Sequence, residues 1–315
     1  MPGLKLVRAM RVTVTGATGM IGTAVVAAQR NRDDEVTVLS RDPERASAQL
    51  GAGVHALHWD PLSEPAPAQA LAGRDAVVNL AGEPIAQRWS EQAKRAIRDS
   101  RVTGTRNLVE GLGELDAGAR PSVLVSSSAI GYYGTHGAEP IDEEAPAGTG
   151  FLAQVCAEWE GEARAVTPLG MRAVQVRTGV VLDRSGGALA KMLPPFRLGI
   201  GGPVAGGRQF VAWVHRDDLV GMMLAALDDE RWSGAVNGTA PEPVSNRELS
   251  RALGHALHRP ALLPVPGPAL RALYGEMAEI VTAGVRAVPA KALMLGYGFT
   301  YPRLDEALQA ALSRA

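Results

Sequence analysis

The chain has 315 residues, of which 46% are hydrophobic and 21% charged, and its formal net charge is −1. This length and apolar fraction predict one large domain or two modest ones with a buried core. The near-zero charge provides no field for nucleic acid or an anionic membrane, and no apolar run reaches the roughly 18 residues of a membrane span. The single cysteine, Cys156, excludes an intramolecular disulfide and a thiolate metal cage.

The first ten residues contain Lys5 and Arg8 among short apolar pieces and lack the long apolar core of a secretory signal peptide. The folded pattern begins at Arg11, so either Met1 or Met10 can be the natural start. We therefore expect a cytoplasmic protein, a monomer or homodimer, that binds no metal, no nucleic acid and no membrane.

A glycine-rich loop follows the first predicted strand. A β-branched run enters Gly16-x-x-Gly19-x-x-Gly22, and a helix-forming run follows directly. These glycines allow a tight turn and a close backbone approach to a pyrophosphate, while the helix start offers free N–H groups and a positive dipole end. The stretch predicts a dinucleotide cradle, against the alternative of a βα turn without a ligand. The predicted contacts are Gly16, Thr18, Gly19, Met20, Ile21 and Gly22.

The second predicted strand, residues 35–39, ends at Ser40-Arg41-Asp42, about 20 residues past the glycine loop, where such folds meet the adenosine ribose. An acidic residue there favours NAD, whereas the planar fork of Arg41 suits the 2′-phosphate of NADP. Ser40 and Arg41 therefore predict NADP(H), the alternative for Arg41 being a solvated surface residue. Asp42 is expected to cap the helix that begins at Pro43 rather than to face the ribose.

Small residues follow the next buried strand, which ends at Asn79. Ligands of an open parallel sheet bind at the carboxyl ends of its strands, and small residues there let a cofactor pass close to the backbone. The predicted contacts are Leu80, Ala81, Gly82 and Glu83. Arg101, on the long helix that follows, is a further candidate for the cofactor phosphates, or else a surface arginine.

A later strand carries three serines and two tyrosines. Residues 122–125 are apolar enough to be buried and run into Ser126-Ser127-Ser128, with Tyr132 and Tyr133 close behind. Hydroxyls at a strand's carboxyl end can hydrogen-bond a substrate oxygen or the nicotinamide amide, although a serine-rich turn is the alternative. Ser128, helped by Ser127, and Tyr132 are the predicted catalytic residues.

Together these motifs resemble the extended short-chain dehydrogenase/reductase superfamily, which includes the NAD(P)-dependent sugar-nucleotide epimerases and dehydratases. Later stretches are similar to an atypical branch, the epimerase (nucleoside-diphosphate-sugar epimerase-like) family, which has its own C-terminal segment. The stretches that carry this resemblance are residues 177–182, 195–199, 207–210, 213–219, 237–241, 263–266, 275–277, 289–293 and 298–302.

The resemblance implies a Tyr-x-x-x-Lys pair on one helix face, in which the lysine binds the nicotinamide ribose and lowers the pKa of the tyrosine. The matching helix, residues 151–160, places Leu152 and Cys156 at those two positions when Glu160 is aligned with the acidic residue that often follows the lysine. No tyrosine of the chain has a lysine four residues later. We expect Cys156 to be a buried, inert thiol and Tyr132 to supply the acid–base group, with Tyr133, His215 and Lys191 as alternatives.

The predicted fold is α/β, a Rossmann-type doubly wound parallel sheet over residues 10–182 with a smaller C-terminal α/β substrate lobe over residues 183–315. The predicted function is that of an NADP(H)-binding oxidoreductase or sugar-nucleotide-epimerase-like protein. Its substrate would be a small molecule, either a nucleotide sugar or another carbonyl or hydroxyl compound. The alternative is a non-catalytic NADP(H)-binding redox sensor or scaffold protein.

Overall fold

A computed structural model describes residues 9–313. Met1, Lys5 and Arg8, on which the predicted start and the predicted lack of a signal peptide depend, lie outside the described residues. The described strands are β1 Arg11–Thr15, β2 Glu35–Ser40, β3 Val54–His58, β4 Ala76–Asn79, β5 Val123–Ala129, β6 Pro140–Ile141, β7 Arg172–Thr178, β8 Val180–Leu182, β9 Phe210–Val211, β10 Trp213–His215, β11 Gly234–Gly238, β12 Val244–Ser245 and β13 Arg286–Ala287. The described α-helices are α1 Met20–Arg30, α2 Pro43–Leu50, α3 Ala68–Leu71, α4 Glu91–Gly113, α5 Phe151–Arg164, α6 Gly187–Arg197, α7 Arg216–Asp228, α8 Asn246–Ala256, α9 Gly267–Tyr274, α10 Ala278–Thr282, α11 Ala290–Met294 and α12 Leu304–Ser313.

Seven parallel strands form the central sheet in the order β11-β7-β5-β4-β1-β2-β3. The strand order reverses between β1 and β4, whose last residues, Thr15 and Asn79, are register partners. A crevice opens outside the carboxyl ends of the strands at such a reversal, and ligands of doubly wound folds bind there. The predicted Rossmann-type class is confirmed, and the glycine loop lies at the reversal.

Alternating side chains of the central strands enter two separate cores. Val12, Val78 and Val125 pack on the face covered by α1 and α7, while Val77 and Leu124 pack on the face covered by α3, α4 and α5. Successive strand side chains point to opposite faces, so a strand that is buried on both faces reads as a continuous apolar run. This is why the sequence shows unbroken β-branched runs rather than alternation.

The rest of the chain builds a smaller lobe from three two-stranded pairs, β8 with β10, β9 with β12, and β6 with β13, together with the later helices. Its core includes Leu193, Trp213, Leu253 and Leu308, so α12 closes against α8. No helix within residues 9–313 is long and apolar enough to cross a membrane.

The lobe and the central sheet interleave along the chain. Strand β11 lies beyond the predicted boundary at residues 182 and 183, yet it pairs with β7 at the edge of the central sheet, with Val236 opposite Val176. Helix α7 likewise packs on α1. The reason is that a parallel strand needs a crossover connection, and α7 supplies it. The division of the chain at this boundary remains a prediction.

Candidate functional site

The three glycines of the loop differ in the space around them. Backbone atoms fill the space beside Gly16 and Gly22, whereas the space beside Gly19 is open. A Cβ on Gly16 (φ +65°) would lie 2.6 Å from the carbonyl of Leu80, and one on Gly22 would lie 2.3 Å from the carbonyl oxygen of Gly16. Packing and backbone conformation therefore require both glycines. A Cβ on Gly19 would meet, among the described residues, only that same oxygen, at 3.4 Å. The space in front of Gly19 is therefore free.

Helix α1 begins at this open position without a side-chain cap. Its N-cap is Gly19, no acidic residue lies in its first turn, and no side chain of the described residues caps it. Uncapped N–H groups and the helix dipole make such a terminus favourable for an anion. Gln49 donates a hydrogen bond from Nε2 to the carbonyl oxygen of Thr18 (2.8 Å) and so fixes the loop against α2. The Met20 side chain faces the lobe, since a Cβ on Gly186 would lie 3.1 Å from its Sδ. Ile21, in the same turn, is half-buried.

After the end of β2, Asp42 caps helix α2, as the sequence predicts. The Asp42 side chain accepts a hydrogen bond from the Arg45 backbone N–H (2.9 Å) and caps α2. The Ser40 hydroxyl accepts a hydrogen bond from the Asp42 backbone N–H, which tightens the turn. Arg41 is exposed, and within residues 9–313 its guanidinium has no ion-pair partner. Its charge is thus available at the carboxyl end of β2.

A buried polar cluster fixes the end of β4 against β1. Thr15 Oγ1 donates to Asn79 Oδ1 (2.7 Å) and accepts from the backbone N–H groups of Leu80 and Ala81, each at 3.2 Å. Asn79 Nδ2 in turn donates to Thr105 Oγ1 of α4 (2.9 Å). Asn79 thus orders the neighbouring loop, and the backbone of Leu80 and Ala81 lines the crevice beside Gly16.

The next residues of this loop lie against Arg101. Arg101 Nη1 donates to the carbonyl oxygens of Glu83 (2.9 Å) and Ile97 (3.1 Å), and a Cβ on Gly82 would be 3.1 Å from Arg101 Cζ. The guanidinium also lies over the ring of Trp159 of α5, 5.3 Å from its centroid. Burial lowers the pKa of Arg101. Arg101 is therefore not a solvated surface arginine but a half-buried cation at the end of β4.

Ser128 is buried rather than turned to open solvent. Its Oγ donates to Glu160 Oε1 of α5 (2.7 Å). Arg177 of β7 holds the same carboxylate with two bonds, Nε to Oε1 at 2.8 Å and Nη2 to Oε2 at 2.9 Å. Burial opposes the charge of Arg177, but Glu160 raises the pKa of this guanidinium above its usual range. The hydroxyl of Ser128 is thus oriented by a buried ion pair; its catalytic role remains a prediction.

Tyr132 lies on a single 3₁₀ turn that covers the start of α5. A Cβ on Gly131 in this turn would be 3.4 Å from Leu152 Cβ and 3.9 Å from Cys156 Sγ. The half-buried ring of Tyr132 lies on the Arg177 guanidinium, with 3.5 Å between Cζ and the ring centroid. The fold therefore packs the turn that carries Tyr132 against the two positions at which the resemblance expects Tyr and Lys, while the Tyr132 ring itself lies on Arg177.

The alternatives to Tyr132 are tied to structural partners. Tyr133 Oη is buried, donates to Asn237 Oδ1 (2.7 Å) and accepts from Arg177, and burial raises its pKa to about 12. His215 is buried, lies against the Tyr301 ring (4.0 Å between centroids), and its Nδ1 accepts from the Asp217 N–H at the start of α7. Lys191 Nζ donates to the Ala86 carbonyl (2.6 Å). Burial raises the pKa of Cys156 to about 12, as expected of an inert thiol.

Residues of the C-terminal segment bind directly to buried carboxylates of the central fold. Glu143, itself buried, accepts hydrogen bonds from the backbone N–H groups of Asn237 (2.9 Å) and Lys291. Asp218 of α7 accepts from the N–H groups of Thr300 (2.7 Å) and Tyr301 (2.9 Å). Backbone N–H groups of Lys291, Thr300 and Tyr301 thus hold the C-terminal segment against the rest of the fold.

Sequence reasoning did not identify Glu160, Arg177 and Glu143 as site residues. In the sequence, Glu160 serves only to align helix 151–160 with the family pattern, and Arg177 belongs only to the stretch 177–182 that carries the resemblance. One signal in the sequence pointed to Glu160: it is a carboxylate on an otherwise apolar helix face. Because an unpaired charge is not tolerated in a core, such a residue must have a buried partner. Within the described residues, no cluster of three or more His, Cys, Asp or Glu side chains could hold a metal ion.

Two family models match this chain. Residues 12–237 match the NAD-dependent epimerase/dehydratase family, and residues 265–311 match a domain of unknown function, DUF1731. An epimerase family protein from Arabidopsis thaliana, named as the chloroplastic homolog of SDR39U1, is 42% identical over 310 residues, which is 96% of this chain and 87% of that protein. The human epimerase family protein SDR39U1 is 37% identical over 305 residues, covering 95% of this chain and 99% of the relative.

Solved structures agree with this assignment. The crystal structure of human SDR39U1 (isoform 2) with NADPH superposes with a TM-score of 0.85 at 35% identity, covering 97% of this chain and 100% of that one. A UDP-galactose 4-epimerase superposes with a TM-score of 0.72 at 19% identity over 96% of this chain and 97% of the other, which shows a shared fold. The predicted resemblance is confirmed: the chain belongs to the NAD-dependent epimerase/dehydratase family, in the extended short-chain dehydrogenase/reductase branch that carries the DUF1731 segment.

Proposed function

We propose that the chain is an NADP(H)-dependent oxidoreductase or epimerase-like enzyme that acts on a carbonyl or hydroxyl group of a small molecule, such as a nucleotide sugar. The observation that carries this is the open position at Gly19, between two glycines that packing requires, at the uncapped start of α1. A pyrophosphate fits this combination of free space and N–H groups. The NADPH in the crystal structure of the human relative supports the same cofactor here.

The remaining predicted contacts would bind the other parts of the cofactor. Ser40 and Arg41, at the end of β2, would take the 2′-phosphate of the adenosine ribose, because a planar guanidinium pairs well with phosphate. The backbone from Leu80 to Gly82 would pass beside the cofactor, and Glu83 and Arg101 follow at the end of β4. The bound nicotinamide would give or take the hydride.

Tyr132 is the proposed proton donor and acceptor, and Ser128 the proposed orienting hydroxyl. The turn of Tyr132 covers Leu152 and Cys156, so its phenol would act from the turn rather than from α5. Arg177 contacts both the ring of Tyr132 and the carboxylate that holds Ser128, and this shared partner fixes the two groups relative to each other. A group held in this way loses little freedom when a substrate binds.

A non-catalytic NADP(H) sensor or scaffold is the second candidate, and Leu152 and Cys156 favour it. Leucine cannot transfer a proton, and a thiol with a pKa of about 12 is not a base at neutral pH. Such a protein would keep the cradle and lose the chemistry. The two candidates therefore differ in hydride transfer and agree in cofactor binding.

Binding titrations with NADPH and NADH, followed by nicotinamide fluorescence, test the cofactor. Arg41→Asp should weaken NADPH at least tenfold while leaving NADH within about threefold, because only NADPH carries the 2′-phosphate. Arg271→Asp makes the same charge change on the exposed face of α9 and should affect neither cofactor. Equal weakening of both cofactors by Arg41→Asp would show that this side chain does not bind the 2′-phosphate.

Turnover is tested with NADPH, or NADP⁺ in the reverse direction, and a broad panel of carbonyl compounds and nucleotide sugars. Tyr132→Phe should abolish turnover without changing the NADPH Kd, and Ser128→Ala should reduce turnover by about 10²–10³. Tight NADPH binding with no hydride transfer to any compound of the panel would favour the sensor. Full turnover in Ser128→Ala would remove this residue from the mechanism.

A further inference from the structure

Arg101 is a cation whose hydrogen-bonding capacity is only partly used. A guanidinium has five N–H donors, and in Arg101 only Nη1 donates to protein groups of residues 9–313, to two backbone carbonyls. No carboxylate of this described range lies within ion-pair distance of it. Glu83 acts on this charge only from beyond ion-pair distance. A half-buried cation with no carboxylate in direct contact is costly, and a ligand that accepts from its free N–H groups offsets this cost. Nε and Nη2 are thus available to such a ligand.

The guanidinium lies between the loop that follows β4 and the middle of α5. Gly82 leaves it room on one side, and the Trp159 ring bounds it on the other, 5.3 Å from Cζ to the ring centroid. Trp159 Nε1 donates to Thr105 Oγ1 (2.9 Å), which fixes α5 against α4 at this level. Trp159 lies three residues after Cys156, and residues at this spacing share one helix face. Arg101 therefore faces the same part of α5 as Cys156.

Cys156 is the position at which the resemblance places the lysine. The Arg101 charge acts on the Cys156 thiol, partly offsetting the effect of burial on its pKa. A lysine at position 156 would bring a second cation to the same place, where the two charges would repel each other. The neutral Cys156 thus avoids the repulsion that a lysine at this position would have with Arg101.

We propose that Arg101 replaces the missing lysine from the neighbouring helix and donates hydrogen bonds from Nε and Nη2 to the two hydroxyls of the nicotinamide ribose. This rests on the proposed function, because it assumes that NADP(H) binds along the crevice. Two adjacent hydroxyl oxygens match the parallel donors of a guanidinium edge. The pyrophosphate would bind at the start of α1, so Arg101 serves the nicotinamide half of the cofactor rather than its phosphates.

The test compares NADPH with 2′-phospho-ADP, which has the adenosine half and the second phosphate but neither the nicotinamide nor its ribose. Arg101→Gln keeps most of the side-chain volume and removes the charge. It should weaken NADPH at least tenfold and leave the affinity for 2′-phospho-ADP within twofold. Arg95→Gln makes the same change at an exposed position of α4 and should alter neither affinity. Thermal unfolding without ligand verifies that each variant is folded.

A second variant tests whether the two positions are equivalent. Arg101→Gln combined with Cys156→Lys moves the cation to the position of the family lysine and should regain at least half of the lost affinity, in logarithmic units, for NADPH. Equal weakening of NADPH and 2′-phospho-ADP by Arg101→Gln would assign Arg101 to the phosphates and overturn the proposal. Less than threefold weakening of NADPH, or no regain in a folded double variant, would overturn it as well. If the wild-type protein itself did not bind NADPH, the proposed function would fail first.

Discussion

Substituting Gly19 and Gly22 separately distinguishes the space that a cofactor needs from the space that the fold needs. A Cβ at position 22 would lie 2.3 Å from the Gly16 carbonyl oxygen and 2.7 Å from Ala17 Cα, both backbone atoms that cannot rotate away. A Cβ at position 19 would meet that carbonyl oxygen at 3.4 Å, an ordinary contact, and the Gly19 φ of −75° suits alanine. The two alanine variants should therefore behave differently.

The Gly22→Ala variant should be destabilised. Overpacking of this kind costs about 1–3 kcal/mol, and each kcal/mol lowers the Tm of a large domain by about 2–4 °C, so we expect a fall of about 2–12 °C. In Gly19→Ala, the loss of chain freedom in the unfolded state stabilises by about 0.4–1 kcal/mol. The poorer N-cap offsets this by a similar amount. Its Tm should stay within about 4 °C of the wild-type value.

In Gly19→Ala, by contrast, cofactor binding rather than stability should be impaired. The Gly19→Ala methyl group would occupy the space in front of α1 and should weaken NADPH at least tenfold, about 1.4 kcal/mol. Thermal unfolding with and without saturating NADPH measures both quantities, because a ligand raises Tm in proportion to the logarithm of its concentration over Kd. A Gly19→Ala variant with wild-type stability and wild-type NADPH affinity would refute the assignment of this space to the pyrophosphate.

Three further predictions concern buried ionisable groups. Glu160→Gln leaves the Arg177 charge unpaired in the interior and should lower the free energy of unfolding in urea by about 3–5 kcal/mol; a loss under 1 kcal/mol would mean that this ion pair is not buried as described. Because burial raises the pKa of Cys156 to about 12, the native protein at pH 8 should react with iodoacetamide roughly a hundredfold more slowly than the urea-unfolded protein; rapid labelling of the native protein would contradict this. Burial lowers the pKa of His215, so the unfolded state binds its proton more readily, and stability should fall as pH drops from about 6.5 towards the lowered pKa. The neighbouring charges of Asp217, Arg216 and Asp183 act on the same ring, and a His215→Asn variant with the same change in unfolding free energy between pH 7.5 and 5.5 as the wild type would refute the assignment.

The parts of the fold that depend on local sequence were predictable. The β-branched run before Gly16, the cap at Asp42 and the apolar strand before Asn79 each follow from residue type and immediate neighbours. Each of these lies in the structure as predicted. Parallel strands buried on both faces make the pattern unusually readable, since nearly every residue of the strand is apolar.

The polar groups behind the crevice could not be predicted in the same way. Glu143 accepts a hydrogen bond from Asn237, which is 94 residues away. Arg177 lies on β7 and pairs with Glu160 on α5. No sequence spacing encodes such pairs, because their partners are set by tertiary packing. The consequence for Ser128 is specific: its hydroxyl could be placed at the end of a strand, but its partner could not.

The absence of the lysine is another case in which sequence spacing does not identify a group that tertiary packing brings into place. A Tyr-x-x-x-Lys search assumes that both side chains lie on one helix, so it reports an absence when the cation comes from another element. Trp159 contacts Arg101 and Thr105 of α4, and it joins α4 to α5 one helical turn after Cys156, the position at which the resemblance places the lysine. Under the proposed role of Arg101, a cationic group acts at this place although the motif is absent. If Arg101 takes this role, the absence of the lysine no longer favours the sensor. The leucine at position 152 still does, and the question of catalysis then depends on the phenol of Tyr132.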